Sequence, residues 1–180
     1  MTEITVKALK LGLIGATAAL LLAVLSNFAE PIIALRREAE MRAVLNVLAD
    51  GEKTEAPEPV SEPSILQRWQ IANDKGWILE MEAVGYGGSM LLVASYKGDG
   101  TIMTARLLDN KETVGFGKKA EDAAYMDIFA GFGSEIPVPQ NKVELGDGAD
   151  LVSGATITFT GIAATLEKGS KSVKEWSNQR

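Results

Sequence analysis

The chain has 180 residues and a formal net charge of −6, so it lacks the positive field that attracts nucleic acid or an anionic membrane surface. It contains no histidine and no cysteine, which excludes disulfides, thiolate catalysis, iron–sulfur ligation and the commonest metal ligand and general base. We therefore predict no metal site, and we expect any chemistry to be supplied by a bound group.

An uncharged apolar stretch, residues 11–29, lies near the N-terminus and is close to the roughly 20 residues that a helix needs to cross a bilayer. A signal peptide would have two small residues before its cleavage site, and only Ala29 fits, so residues 1–30 are interpreted as a retained transmembrane anchor. Lys7 and Lys10 precede the stretch and place the short N-terminus in the cytoplasm. The rest of the chain is then expected on the extracytoplasmic, periplasmic side of the cytoplasmic (inner) membrane.

Residues 31–63 are predicted to form an amphipathic helix followed by a linker. Apolar residues recur at helical spacing from Leu35 to Leu48, with charged residues between them, and that charged face is interpreted as solvated surface rather than a partner-binding face. Residues 51–63 are rich in Glu and Pro, which is typical of a linker or an irregular segment. A folded domain is expected at residues 64–180.

Within that domain, short apolar runs alternate with glycine-containing turns at residues 74–76, 85–88 and 98–100. This pattern predicts antiparallel hairpins with strands in residues 69–72, 77–84, 90–96 and 102–108. The spacing of Ala124, Ile128 and Phe132 predicts a helix over residues 121–132, and a short strand is expected at residues 143–145. A last helix, outlined by Ile157, Ile162, Ala163 and Leu166, is expected to begin directly after a hydroxyl-rich segment. The predicted class is α+β, with one N-terminal transmembrane helix and a domain of antiparallel sheet with packed helices.

The hydroxyl-rich segment, DLVSGATIT at residues 150–158, has three interpretations. It could cap the following helix, because Ser and Thr side chains accept hydrogen bonds from the first backbone N–H groups. A nucleophilic serine lacks a histidine to activate it, and a lysine base would need tertiary evidence. The third interpretation is a covalent attachment point, where another enzyme esterifies a hydroxyl and the helix N-terminus favours a bound phosphate.

The segment Asp150-x-x-Ser153-Gly154-Ala155-Thr156 resembles the Asp-x-x-(Ser/Thr)-Gly-Ala-Thr flavinylation motif of FMN-binding domains. Such domains occur in the G subunit of Rnf electron-transport complexes and in the C subunit of the sodium-translocating NADH:quinone reductase. The resemblance implies that Thr156 carries FMN through a phosphoester bond installed by a flavin transferase. It also implies that Asp150, Ser153, Gly154 and Ala155 form the recognition context around the attachment site.

Three further segments support the resemblance in chain order. The GYGG segment at residues 85–88 and the GDGTI segment at residues 98–102 are similar to family segments. The segment KETVGFGK at residues 111–118 resembles the family's KETPGLG loop, with Val114 and Phe116 in place of Pro and Leu. Composition alone favours an ordinary glycine turn here. The resemblance implies contacts to FMN from this loop, through Glu112, Thr113, Gly115, Phe116 and Gly117.

Most aromatic residues are expected in the core, namely Trp69, Trp77, Tyr86, Tyr125 and Phe129. Phe116 is the one aromatic residue singled out as a flavin contact, because it belongs to the segment at residues 111–118, here called the KET loop. Lys118 or Lys119 could favour a reduced, anionic flavin, although each is more often a solvated surface residue.

The function implied by the resemblance is that of a membrane-anchored flavoprotein, a redox part of an ion-translocating oxidoreductase that is not catalytic alone. An Rnf-type complex would couple ferredoxin/NAD electron transfer to sodium or proton movement, and the partners would be other membrane subunits, electron-donor and electron-acceptor subunits, and the flavin transferase. Two alternatives stay open: the C subunit of the quinone reductase, and a non-enzymatic pilin-like or assembly protein in which Thr156 is only a helix cap.

Overall fold

The computed structural model describes residues 2–113, 117–150 and 152–179. The chain divides into two compact units, Met1–Val44 and Leu45–Arg180. The first unit consists of a single helix, and the second is an α+β domain, as the sequence predicted.

Helix α1 runs without interruption over Thr2–Leu48, so the prediction of a second, separate helix after Pro31 is wrong. Proline removes one backbone donor, but strong helix formers on both sides of Pro31 maintain the helix, and a proline within a membrane helix is tolerated. Most apolar side chains of this helix are exposed, Leu45 and Leu48 at its end being buried, and its most apolar window has a mean hydropathy of 2.2. Among the described residues, α1 is the one helix long and apolar enough to cross a membrane.

The domain is built on one antiparallel sheet whose five strands follow one another in chain order. The predicted hairpins are confirmed, because each strand pairs with its neighbour in sequence through tight turns. The strands are β1 (Glu58–Pro59), β2 (Ile65–Ile71), β3 (Gly76–Val84), β4 (Ser89–Tyr96) and β5 (Ile102–Asp109).

The predicted linker, residues 51–63, is mostly irregular, but two parts of it are attached to the sheet. The two-residue strand β1 pairs with β2, placing Glu58 opposite Arg68. Thr54 also forms an isolated bridge with Ile71. This segment therefore covers an edge of the sheet, which would otherwise expose unpaired backbone groups.

The main core lies between one face of the sheet and α3 (Thr156–Asn178). Alternate residues of β3 and β4 face this helix, which follows from the two-residue period of a strand. The helix contributes Phe159, Ile162, Ala163, Leu166 and Val173, all fully buried. The predicted last helix is thus confirmed, and it begins at Thr156.

Two predicted elements between the sheet and α3 are wrong in form. Residues 143–145 belong to a 3₁₀ helix, Lys142–Asp150, because the side chain of Asn141 accepts the N–H groups of Val143 and Glu144 and so favours a turn. The predicted helix over residues 121–132 is reduced to α2 (Ala123–Asp127), which Asp122 caps, and a 3₁₀ helix, Gly117–Glu121, precedes it. The hydrophobic residues that this region buries include Ala120, Tyr125, Met126 and Phe129.

Candidate functional site

Helix α3 begins without a side-chain cap. Its N-cap residue is Ala155, which has no side-chain hydrogen bond to offer, and Phe159 N is the first amide of the helix to donate to a backbone carbonyl, that of Ala155. The nearby hydroxyls form hydrogen bonds that do not cap the helix. Ser153 Oγ donates to the carbonyl of Ala149, and Thr158 Oγ1 donates to Glu112. The helix-cap interpretation of the hydroxyl-rich segment is therefore wrong for the described residues, and the first turn of α3 keeps backbone N–H groups available.

A cavity of ≈470 Å³ opens beside this uncapped end. Its volume lies within the range of about 300–1,000 Å³ that small-molecule sites occupy. The first turn of α3, the turn after β3 and the chain after β5 contribute its walls. The lining residues are Tyr86, Glu112, Thr113, Gly117, Gly154, Ala155, Thr156, Ile157 and Thr158.

Glu112 joins the three walls of this cavity. Its carboxylate accepts the backbone N–H of Gly87 at 2.9 Å and the hydroxyl of Thr158 at 2.8 Å. Its own backbone N–H donates to Asn110 Oδ1 at 2.9 Å, which fixes the residue at the end of β5. Glu112 is only 5% exposed. One buried side chain thus holds the turn after β3, the KET loop and α3 together.

The backbone N–H of Lys118 donates to the carbonyl of Thr113 at 3.3 Å. Lys118 Nζ lies 3.2 Å from Glu121 Oε1 and forms a surface ion pair. Neither Lys118 nor Lys119 lines the cavity. The proposed lysine contribution to flavin electrostatics therefore has no direct support in the described geometry.

Tyr125 lies near Glu112, and its buried hydroxyl has no hydrogen-bond partner among the described residues. Burial raises the pKa of this hydroxyl well above its usual value, and the charge of Glu112 raises the pKa further. Tyr125 therefore stays neutral at physiological pH, and its hydroxyl is buried.

The structure brings together most of the sequence-predicted site residues. Glu112, Thr113 and Gly117 line the cavity from one side, and 154–156 line it from the other. Asp150 and Ser153 precede the cavity and do not line it; the backbone N–H of Ser153 donates to the carbonyl of Asp150 at 3.3 Å. Gly115 and Phe116 lie outside the described residues.

Sequence reasoning missed three lining residues, Tyr86, Ile157 and Thr158. Tyr86 was expected in the core, yet its side chain is 74% exposed, whereas Trp69, Trp77, Tyr125 and Phe129 are buried as expected. Its position inside the GYGG segment was the available signal, since an aromatic residue within a glycine turn has few core neighbours. The GDGTI segment lies away from the cavity, because the carbonyl of Gly100 accepts a hydrogen bond from Ser170, far along α3.

The described residues fit a flavin mononucleotide. The cavity has apolar walls at Ala155 and Ile157, and an exposed hydroxyl at Thr156. The uncapped first turn of α3 offers N–H groups and a partial positive charge to a phosphate. When bound, such a group supplies the redox chemistry that the protein side chains lack.

Comparisons with known proteins agree with this geometry. The profile of the FMN-binding domain family matches residues 85–171. The chain is similar to the G subunit of the ion-translocating oxidoreductase complex of Cereibacter sphaeroides strain ATH 2.4.1, with 32% identity over 91% of this chain and 81% of that protein. The corresponding protein of strain ATH 2.4.9 is 31% identical over the same shares. The apolar helix α1 and this similarity indicate a single-pass membrane protein. The chain belongs to the family of G subunits of ion-translocating oxidoreductase complexes, and it contains an FMN-binding domain.

Proposed function

We propose that this chain carries FMN covalently, through a phosphoester to Thr156, and transfers electrons as a membrane-anchored subunit of an Rnf-type complex. The observation that carries the proposal is the position of Thr156. It is exposed, it is the first residue of an uncapped helix, and it lines a cavity of ≈470 Å³ within the domain that matches the FMN-binding family.

Other hydroxyls near the cavity are less suited to attachment. Thr158 is buried and donates to Glu112, and Ser153 donates to a backbone carbonyl outside the cavity. Thr160 is exposed, but its hydroxyl donates to the carbonyl of Thr156 and it does not line the cavity. Thr113 is exposed and lines the cavity, yet it does not begin a helix. Thr156 alone among these combines exposure, the cavity and a helix N-terminus.

The attachment step forms a bond between Thr156 Oγ1 and the phosphorus of FMN, with the net loss of one water molecule. A separate flavin transferase would catalyse this step, so the chain needs no histidine to activate the hydroxyl. The ester phosphate keeps a negative charge, which the N-terminus of α3 stabilises. Asp150, Ser153, Gly154 and Ala155 are proposed as the sequence context that the transferase recognises. Gly115 and Phe116 are retained as proposed contacts on the same loop as Glu112.

In the proposed complex, α1 anchors the domain and the domain lies on the extracytoplasmic side. Lys7 and Lys10 before the apolar stretch support this orientation. Residues 11–29 carry no charge and therefore offer no path for an ion. Coupling of ferredoxin/NAD electron transfer to sodium or proton movement would therefore depend on partner subunits, with this chain as one electron carrier.

The test is the intact mass of the chain after co-expression with a flavin transferase, together with flavin fluorescence after denaturation in SDS. The unsubstituted chain is expected to gain the mass of one FMN minus one water and to keep its fluorescence in SDS. Thr156→Ala is expected to lose both signals. Thr160→Ala is the matched control that keeps both signals, because it removes an exposed threonine hydroxyl of α3 that does not line the cavity.

Two results would contradict the proposal. Covalent flavin that survives in Thr156→Ala would place the attachment elsewhere. An unmodified mass for the unsubstituted chain, obtained with a transferase that is active on another substrate, would leave the domain as a non-covalent FMN binder.

A further inference from the structure

Glu112 places a buried carboxylate in the wall of the cavity. Both carboxylate oxygens act as acceptors, one from the Gly87 N–H and the other from the Thr158 hydroxyl. A glutamate side chain is ordinarily ionised at neutral pH, and both of its oxygens here lie within hydrogen-bond distance of a donor.

The backbone at Gly85 and at Gly117 lies close to this carboxylate. A side chain at Gly85 or at Gly117 would collide with a carboxylate oxygen of Glu112 and would displace the carboxylate from its present position. Among the described residues, none of the ion pairs involves Glu112, and the nearby Lys118 is paired with Glu121. The negative charge is therefore balanced by two hydrogen bonds and not by a cation.

We infer that Glu112 is a positioning residue that also lowers the midpoint potential of FMN held in this cavity. The inference rests on the proposed function, which places FMN beside Thr156. Each electron that enters the cavity adds negative charge there unless a proton accompanies it. A fixed negative charge in a poorly solvated wall opposes that addition more strongly than the same charge in water. The bound flavin would therefore be a stronger electron donor than free FMN.

The test must separate the charge of Glu112 from its role in holding the walls together. Glu112→Gln removes the charge and keeps the shape, since its amide oxygen still accepts from Gly87 N–H and its amide nitrogen can donate to a rotated Thr158 hydroxyl. Glu112→Asp keeps the charge on a shorter side chain. Glu121→Gln is the control, because it removes one carboxylate from the nearby surface, where solvent screens it.

The experiment is a spectroscopic redox titration of the flavinylated full-length chain in detergent, with free FMN in the same buffer as the reference. The unsubstituted chain is expected to have a midpoint potential below that of free FMN. Glu112→Gln is expected to shift the potential in the positive direction, while Glu112→Asp and Glu121→Gln stay close to the unsubstituted chain. Intact mass shows for each variant that FMN is attached.

The inference is overturned if Glu112→Gln is flavinylated and its potential is unchanged, or if Glu112→Gln and Glu112→Asp shift it equally. A chain that never acquires FMN would instead contradict the proposed function. If Glu112→Gln does not fold, the midpoint potential of the unsubstituted chain is measured in 1 M salt instead. Buried charges are screened little, so a potential that stays below that of free FMN in 1 M salt supports Glu112, and a potential that rises to the free value overturns the inference.

Discussion

The two ends of α3 differ in how completely their polar groups are satisfied. Toward its C-terminal end, Ser170 is buried and its hydroxyl contacts the carbonyls of both Gly100 and Gly133, at 2.7 and 2.6 Å. Trp176 packs edge-on against Trp77, with ring centroids 5.9 Å apart. The C-terminal end of α3, here called the closed end, is therefore held by contacts with the sheet and its turns.

At the N-terminal end, the helix begins at Ala155 without a side-chain cap and faces a cavity. Ile157 is 56% exposed although it is a large apolar residue. Tyr125, which lies near Glu112, has a buried hydroxyl without a described partner. Exposed apolar surface and unsatisfied polar groups are costly for stability, and such costs are concentrated where a protein binds something.

The difference shows how one helix can serve as both scaffold and site. A site is held accurately when its residues stand on an element that is fixed elsewhere by packing. The closed end of α3 and the buried residues between the ends provide that fixation. The N-terminal end, here called the open end, can then keep polar groups whose hydrogen bonds only a bound molecule would complete.

The largest predicted effect is on the buried face of α3 beside its open end. Phe159 is fully buried and stacks on Phe129, with ring centroids 5.4 Å apart. Phe159→Ala is expected to lower the free energy of unfolding by about 3–5 kcal/mol through the cavity that it creates. The control is Ile157→Ala, which removes an exposed side chain and should cost about 0.5 kcal/mol or less. Guanidinium denaturation of the chain in detergent measures both, and equal costs would mean that the cavity side of the first turn is as tightly packed as its buried side.

The next effect compares one serine from each end. Ser170→Ala removes the buried hydroxyl that donates to the carbonyl of Gly100 or Gly133, and it is expected to cost about 1–3 kcal/mol. Ser153 is half-buried and makes one bond of 3.2 Å, to Ala149, so Ser153→Ala should cost about 0.5 kcal/mol or less. The same denaturation experiment, on the chain without FMN, gives both values. A larger cost for Ser153→Ala than for Ser170→Ala would reverse the assignment of closed and open ends.

The buried tyrosine near Glu112 predicts a dependence on high pH. Because the pKa of Tyr125 is raised in the folded state, the folded chain keeps its proton when the unfolded chain loses it near pH 10. Its contribution to stability is therefore complete below pH 10 and falls as the pH rises, by about 1.4 kcal/mol for each pH unit. Tyr125→Phe should reduce the slope of unfolding free energy against pH above 10. Tyr86→Phe, at an exposed position, should leave the slope unchanged, and an equal slope in both variants would contradict the assignment.

Much of the fold was predictable because it depends on local patterns. Glycine turns between alternating apolar runs predicted the hairpins of β2 to β5, and the apolar spacing after residue 156 predicted α3. The strand expected at residues 143–145 failed because the Asn141 side chain, rather than the apolar residues, determines the local backbone. The continuity of α1 through Pro31 was also missed, since proline is a strong local signal that the flanking helix formers overcame.

The sequence motif of the candidate site was predictable, but the spatial arrangement of its residues was not. Resemblance identified Thr156 and the KET loop as parts of one site, and the structure places both at one cavity. The contact between Glu112 and Thr158 joins residues separated by 46 positions, and no local pattern indicates such a pair. The exposure of Tyr86 likewise follows from tertiary packing and not from its residue type.

The smallest predicted effect tests whether the open end of α3 favours a negative charge, as a phosphoester there would require. In the chain without FMN, Thr156→Asp should raise the free energy of unfolding by about 0.3–1 kcal/mol at low ionic strength, because a carboxylate in the first turn interacts favourably with the helix dipole. The gain should disappear in 1 M salt. Thr160→Asp is the matched control, since the dipole effect is confined to the first turn. Equal gains in both variants would indicate a general charge effect, whereas a gain confined to residue 156 would mean that the unmodified chain already favours an anion where the phosphate of FMN is proposed to lie.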